Sequence, residues 1–135
     1  MTIPGRQFPS PQEAHRLICI VDDDECVADS LKALLEAFGF ATRAYSSGAD
    51  FLADDQRRTA GCLVIDQHMP GMSGLDVVCH MRSEGLRLPT ILISGRLDTN
   101  TRERAAGLGV TRVLDKPLAA DHLIGLIRGA FLDFH

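Results

Sequence analysis

The chain has 135 residues, 45% of them hydrophobic and 24% charged, with a formal net charge of −4. That length suits one domain whose core is large enough to need no covalent staples, and the acidic balance speaks against nucleic-acid contact by this domain. No apolar run approaches the length of a membrane span, and the opening MTIPGRQFPSPQEAHR lacks the apolar h-region of a secretory signal.

Residues 1–15, with three prolines among polar filler, read as a flexible leader. The compact domain is expected over 16–132 and a short tail over 133–135. Leu17-Ile18-Cys19-Ile20-Val21 is a continuous apolar run, as in a strand covered on both faces. Helical spacing follows at Val27, Leu31, Leu34, Leu35 and Phe38, and Gly39 ends it. Ala41 to Tyr45 is a more polar strand suited to an edge, and Gly48 to Ala53 a short helix capped by Ser46 or Ser47. Cys62-Leu63-Val64-Ile65 is a third strand, ending in Asp66. Ser73 to Arg82 reads as a helix with Leu75, Val78 and Cys79 on one side. Thr90 to Ile93 is a fourth strand. Asp98 to Ala106 is a helix polar almost all round, and so weakly held by packing. Val110 to Leu114 is a fifth, partly polar strand, and Ala119 to Phe131 a last amphipathic helix using Leu123, Leu126, Ile127 and Ala130.

Strands that alternate with helices imply a parallel sheet wound on both faces by right-handed crossovers. The three most apolar strands belong in the middle, which gives an α/β, flavodoxin-like (βα)5 fold of strand order 2-1-3-4-5. The four cysteines, Cys19, Cys26, Cys62 and Cys79, form no C-x-x-C pair and no zinc pattern, and read as reduced thiols of a cytoplasmic protein.

In such sheets the site lies outside the carboxyl ends of the strands. Those ends carry Asp22-Asp23-Asp24, Asp66, Ser94-Gly95 and Lys116-Pro117. Asp24 fits equally well as a helix N-cap. Asp22, Asp23 and Asp66 together are costly, because two like charges about 4 Å apart repel by roughly 4 kcal/mol at an effective dielectric near 20. A hard cation relieves that repulsion, and Mg2+ favours oxygen ligands with phosphate as a co-ligand. Asp66 then serves as a carboxylate nucleophile for phosphoryl transfer, with Ser94 and Lys116 placed to meet the charge of the transferring oxygens.

The motifs VDDD at 21–24, DQHMPGMSG at 66–74, SG at 94–95 and KP at 116–117, in this order and spacing, resemble those of response-regulator receiver domains of two-component signalling. The resemblance runs from Arg16 to Phe131. It implies that Asp66 is the phosphoacceptor, Asp23 a direct metal ligand, Asp22 an acid acting mainly through bound water, and the His68 backbone carbonyl a further ligand. Ser94 matches the switch hydroxyl and Lys116 the lysine, with a cis peptide before Pro117. The position of the family's switch aromatic holds Val113, and Leu118 stands where phenylalanine is common. Signalling is therefore expected to rely on the loop after Ser94 and the weak fourth helix. His68 and Arg96, each two residues beyond a site residue, are expected to tune rates.

The function so implied is a phosphoacceptor switch, charged by a histidine kinase or histidine phosphotransfer protein. It promotes its own phosphorylation and dephosphorylation but is not a conventional enzyme. A haloacid-dehalogenase-type hydrolase shares the aspartate, hydroxyl, lysine and Mg2+, but wants D-x-D-x-[TV] after its first strand, where this chain has DDDEC. A degenerate receiver that only binds is opposed by the complete acid set. PGMSGLDVV resembles receivers joined to LuxR-type DNA-binding domains, none of which lies within these 135 residues. The resemblance allows a homodimer through the fourth helix, fifth strand and fifth helix, where Arg102, Glu103, Arg104, Arg112 and Asp115 either supply a charged rim or are simply solvated, and no membrane partner is expected.

Overall fold

A computed structural model describes residues 17–96 and 98–133, with the side chains of 130–133 excluded. The expected leader and the last two residues lie outside this range. Five parallel strands, β1 (Leu17–Val21), β2 (Ala41–Tyr45), β3 (Ala60–Asp66), β4 (Thr90–Ser94) and β5 (Arg112–Asp115), form one sheet in the order β2-β1-β3-β4-β5. Between and after them run α1 (Glu25–Ala37), α2 (Gly48–Ala53), α3 (Gly74–Ser83), α4 (Thr99–Gly107) and α5 (Ala120–Asp133). No described helix is long and apolar enough to cross a membrane.

The apolar strands are buried on both sides because alternate residues serve different layers. Ile18, Ile20, Cys62, Val64, Ile91 and Ile93 face α1 and α5, meeting Leu31, Leu35, Leu123 and Ile127. Cys19, Val21, Leu63, Ile65 and Leu92 face the other layer, meeting Phe51, Leu75, Val78 and Met81. All four thiols are free. Burial pushes Cys19 up to about 11 and Cys62 up to about 12, which leaves both protonated and unreactive at neutral pH.

The helix ends follow local chemistry. Asp24 caps α1 by accepting from the Cys26 and Val27 amides at 3.0 and 3.3 Å, and Ser47 caps α2. Ser73 is the cap of α3 rather than its first residue, and forms a capping box with Asp76. Gly39 sits at φ +90°, which stops α1.

Three of these expectations are corrected. Phe38 lies past the last turn of α1, 44% exposed, with the Arg128 guanidinium 5.6 Å from its ring centroid. Cys79 is exposed because α3 buries Leu75, Val77, Val78 and Met81 instead. Val110 belongs to the turn before β5, where its amide returns to Ala105 O at 3.0 Å, so β5 begins at Arg112. Finally, a 3-10 helix at Asp55–Thr59 escaped the sequence reading. It buries Arg57, whose guanidinium grips Glu84 at 2.8 and 3.3 Å.

The end of β3 sits directly on the start of α3. A Cβ built on Gly74 would lie 2.6 Å from Asp66 O and 2.8 Å from Leu92 Cδ1. Overpacking of that kind costs about 1–3 kcal/mol, against at most about 1 kcal/mol gained from replacing a helical glycine. Gly74→Ala is therefore expected to lower unfolding free energy by about 1–2 kcal/mol in urea denaturation.

Candidate functional site

Parallel register builds the rim. Val21 pairs with Ile65, so the next residues on each strand, Asp22 and Asp66, stand side by side. Adjacent strands are about 4.8 Å apart. Carboxylate oxygens of Asp22, Asp23 and Asp66 all lie within 4.8 Å of one another. Asp22 and Asp66 are 2% and 4% exposed, whereas Asp23 faces solvent. On the other side, Ser94 pairs with Asp115, and the Lys116 amide donates to Ser94 O at 3.0 Å. That bond brings the lysine over the pocket, with Nζ 3.2 Å from Asp66 Oδ1 and 3.9 Å from Asp22 Oδ2. The Lys116–Pro117 peptide is cis.

Two buried oxygens, Asp22 Oδ2 and Asp66 Oδ1, have no hydrogen-bond partner. Lys116 approaches them as a charge only. Burying ionised oxygens without donors is expensive. Burial pushes the Asp22 carboxyl above its ordinary range, and the Asp66 charge adds to this, while the Asp24 amide on Oδ1 and Lys116 pull the other way. One ammonium cannot neutralise three carboxylates. The set of hard oxygen donors, two of them orphaned, suits a small divalent cation of the magnesium class. No described His or Cys joins this cluster.

The remaining expected residues are placed as follows. Ser94 is buried, and its hydroxyl is already engaged: Oγ donates to Arg96 O at 2.9 Å and accepts from Arg96 N at 3.1 Å. The Arg96 side chain is exposed, as is His68. His68 lies close enough to Asp98, the N-cap of α4, to help lower its carboxyl, after the larger effect of the Thr101 bonds. Val113 is partly buried against the layer that holds Leu92 and Ala105. Arg104 reaches across to Asp76 on α3 at 3.3 Å, and the other expected rim residues are exposed. Sequence reasoning missed Gln67, which is buried and accepts from the Leu75 amide through Oε1 at 2.9 Å. A lone amide side chain between an acid and a turn was the available signal.

Against known proteins, the family model described as response regulator receiver domain matches residues 18–128. The chain is 38% identical over 126 residues to the response regulator protein TmoT of Ectopseudomonas mendocina, covering 93% of this chain and 56% of that protein. It is 33% identical over 111 residues to the transcriptional regulatory protein FixJ of Azorhizobium caulinodans, covering 82% and 53%. The chain thus spans about half the length of these curated relatives. Among solved structures it resembles FixJ-N, with TM-score 0.78 and 31% identity, covering 87% of this chain and 94% of that one.

The Asp22–Asp66 repulsion yields a stability test. Asn at 22 keeps an Oδ1 acceptor for the Asp24 amide while removing the charge. Asp22→Asn is expected to raise the metal-free melting midpoint by roughly 3–8 °C, the equivalent of about 1–2 kcal/mol. Millimolar MgCl2 is expected to raise the midpoint of the unsubstituted protein, and the same variant to lose that rise. Differential scanning calorimetry with and without MgCl2 checks both.

Proposed function

The chain belongs to the response regulator receiver domains, and from that premise we propose that it is a phosphoacceptor switch whose acceptor is Asp66. The observation that carries this reading is the pair of orphaned buried oxygens, Asp22 Oδ2 and Asp66 Oδ1, converging under Lys116. The donor is a phosphohistidine of a histidine kinase or histidine phosphotransfer protein. An Asp66 oxygen attacks phosphorus, the bond from phosphorus to the donor imidazole breaks, and the product is an acyl phosphate. Later attack by water returns orthophosphate, so the domain promotes both its own charging and its own discharge without acting as a conventional enzyme.

Asp22, Asp23, Asp66 and the His68 backbone carbonyl would hold Mg2+. Bound there, the ion supplies charge neutralisation for the transferring oxygens. Lys116 contributes an ammonium 3.2 Å from Asp66 Oδ1. Strand β3 holds Asp66 rigidly, which removes the orientational part of the barrier.

Ser94 couples the site to the rest of the fold. To reach a phosphoryl oxygen, its hydroxyl must give up the bond donated to Arg96 O. That releases the segment leading into α4, a helix with only Ala105 buried. Val113 offers no aromatic ring to flip, so loop 95–98 and α4 carry the signal. The exposed side of α4 and β5, with Arg102, Glu103 and Arg112, serves homodimerisation. In a longer regulator this would position an output domain of the kind its transcriptional relatives carry.

Beryllofluoride with Mg2+, a stable phosphoryl mimic, should bind the unsubstituted protein and fail to bind Asp66→Asn. Hydroxylamine-sensitive labelling by acetyl phosphate should vanish in the same variant, and steady turnover of small phosphate esters by the unsubstituted protein would instead favour a hydrolase. With the mimic bound, hydrogen exchange over 95–110 should change at least severalfold, and identical protection would sink the proposed route. Arg96→Ala is expected to slow acetyl phosphate labelling about two- to tenfold by removing a cation that attracts the anionic donor.

A further inference from the structure

Gln67 makes more tertiary hydrogen bonds at the rim than its place between two site residues would require. Its backbone amide donates to Ile93 O at 2.8 Å, which extends the β3–β4 pairing by one residue. Its carbonyl accepts from the Gly74 amide at 3.1 Å, and its side-chain Oε1 accepts from the Leu75 amide at 2.9 Å. The first amides of a helix have no partner within the helix. In α3 the first two are satisfied by Gln67, and the third, Asp76 N, by Ser73 Oγ at 3.2 Å. Ser73 is the ordinary local cap. Gln67 is different, because it caps from seven and eight residues away and closes the intervening segment into a ring.

That ring, residues 67–74, contains His68, Met69, Pro70 and Gly71. Gly74 makes the closure possible, since any side chain there would strike Asp66 O. Both ends of the loop are therefore fixed to the same two elements, β3 and α3. Gln67 is buried, so its side-chain bond to Leu75 is sheltered from competing water.

We propose that Gln67 is a positioning residue of the metal site: by clamping the loop after Asp66 onto the start of α3, its side chain fixes where the loop offers the His68 carbonyl to the cation. This rests on the reading of the rim as a Mg2+ site. Removal of the Oε1 acceptor frees the Leu75 amide, loosens the ring and lets the carbonyl wander. The cation then loses a preorganised ligand, and affinity falls while the carboxylates stay in place.

The test compares Gln67→Met, which keeps the length and loses the acceptor, with Ser73→Ala, which uncaps the same helix but leaves the Gln67 bonds intact. Both should lower the melting midpoint, so stability alone does not discriminate. The deciding measurement is the Mg2+ dissociation constant, from amide shifts of 15N-labelled protein titrated with MgCl2 at a temperature where every variant is folded. Gln67→Met is expected to weaken Mg2+ binding about five- to tenfold, with the altered shifts concentrated at 67–72, and Ser73→Ala to change it less than twofold. Equal effects from the two variants, or none from Gln67→Met, would overturn the role of Gln67 while leaving the metal site standing. Absence of Mg2+ binding by the unsubstituted protein would overturn both.

Discussion

Parallel pairing of β1 with β3 forces two acids to share one strand spacing. Register alone aligns Val21 with Ile65, and the chain then delivers Asp22 and Asp66 to neighbouring positions just beyond the hydrogen-bonded ladder. Neither can retreat into solvent, because both are almost fully buried. Their repulsion, about 3–4 kcal/mol at this spacing and an effective dielectric near 20, is a large fraction of the 5–15 kcal/mol that typically holds a domain together. The two apolar layers that sandwich the sheet must carry this load. Lys116, brought over by the Ser94–Lys116 backbone bond, offsets part of it. A divalent cation would offset the rest. The rigid strands beneath hold the acids of the rim together.

The fold was legible because the strands are unusually plain. Unbroken apolar runs at 17–21, 62–65 and 91–93 are what a sheet covered on both faces requires, and the polar 41–45 could only be an edge. The strand order follows from that contrast and is the order observed. The acids, Ser94 and Lys116 were legible as a set because a parallel sheet collects strand ends at one rim. Periodicity was less informative where a helix runs out. Phe38 continues the α1 spacing in sequence, yet lies beyond the final turn, half-exposed with the Arg128 guanidinium over its ring. Cys79 is adjacent to the buried Val78 but rotated about 100° away from it.

What sequence could not supply was hydrogen-bond direction. Nothing in the composition of 55–59 says that Arg57 is buried against Glu84, because that pair is 27 residues apart. Gln67 drew no role from the sequence, and its contacts with the Gly74 and Leu75 amides show it as part of the α3 cap. Likewise the sequence placed the Ser94 hydroxyl at the rim without showing that the Arg96 backbone occupies both its donor and its acceptor side.

Stability is distributed unevenly around the rim. Helix α3 is capped by Ser73, Asp76 and Gln67 and buries five residues. Helix α4 buries one and is held at its far end, where Arg82 donates to Leu108 O at 2.8 Å and Gly109 O at 3.3 Å. Its near end carries the Asp98 cap, which accepts from the Thr101 amide. The two layers also differ in accessible sulfur. Cys26 opens α1 on one side of the sheet and Cys79 rides α3 on the other, both exposed, while Cys19 and Cys62 are sealed within the core. The native chain therefore carries one addressable anchor per layer, to which a spin label or fluorophore pair can be attached without engineering, and the separation between the two faces becomes a ruler for motion across the sheet.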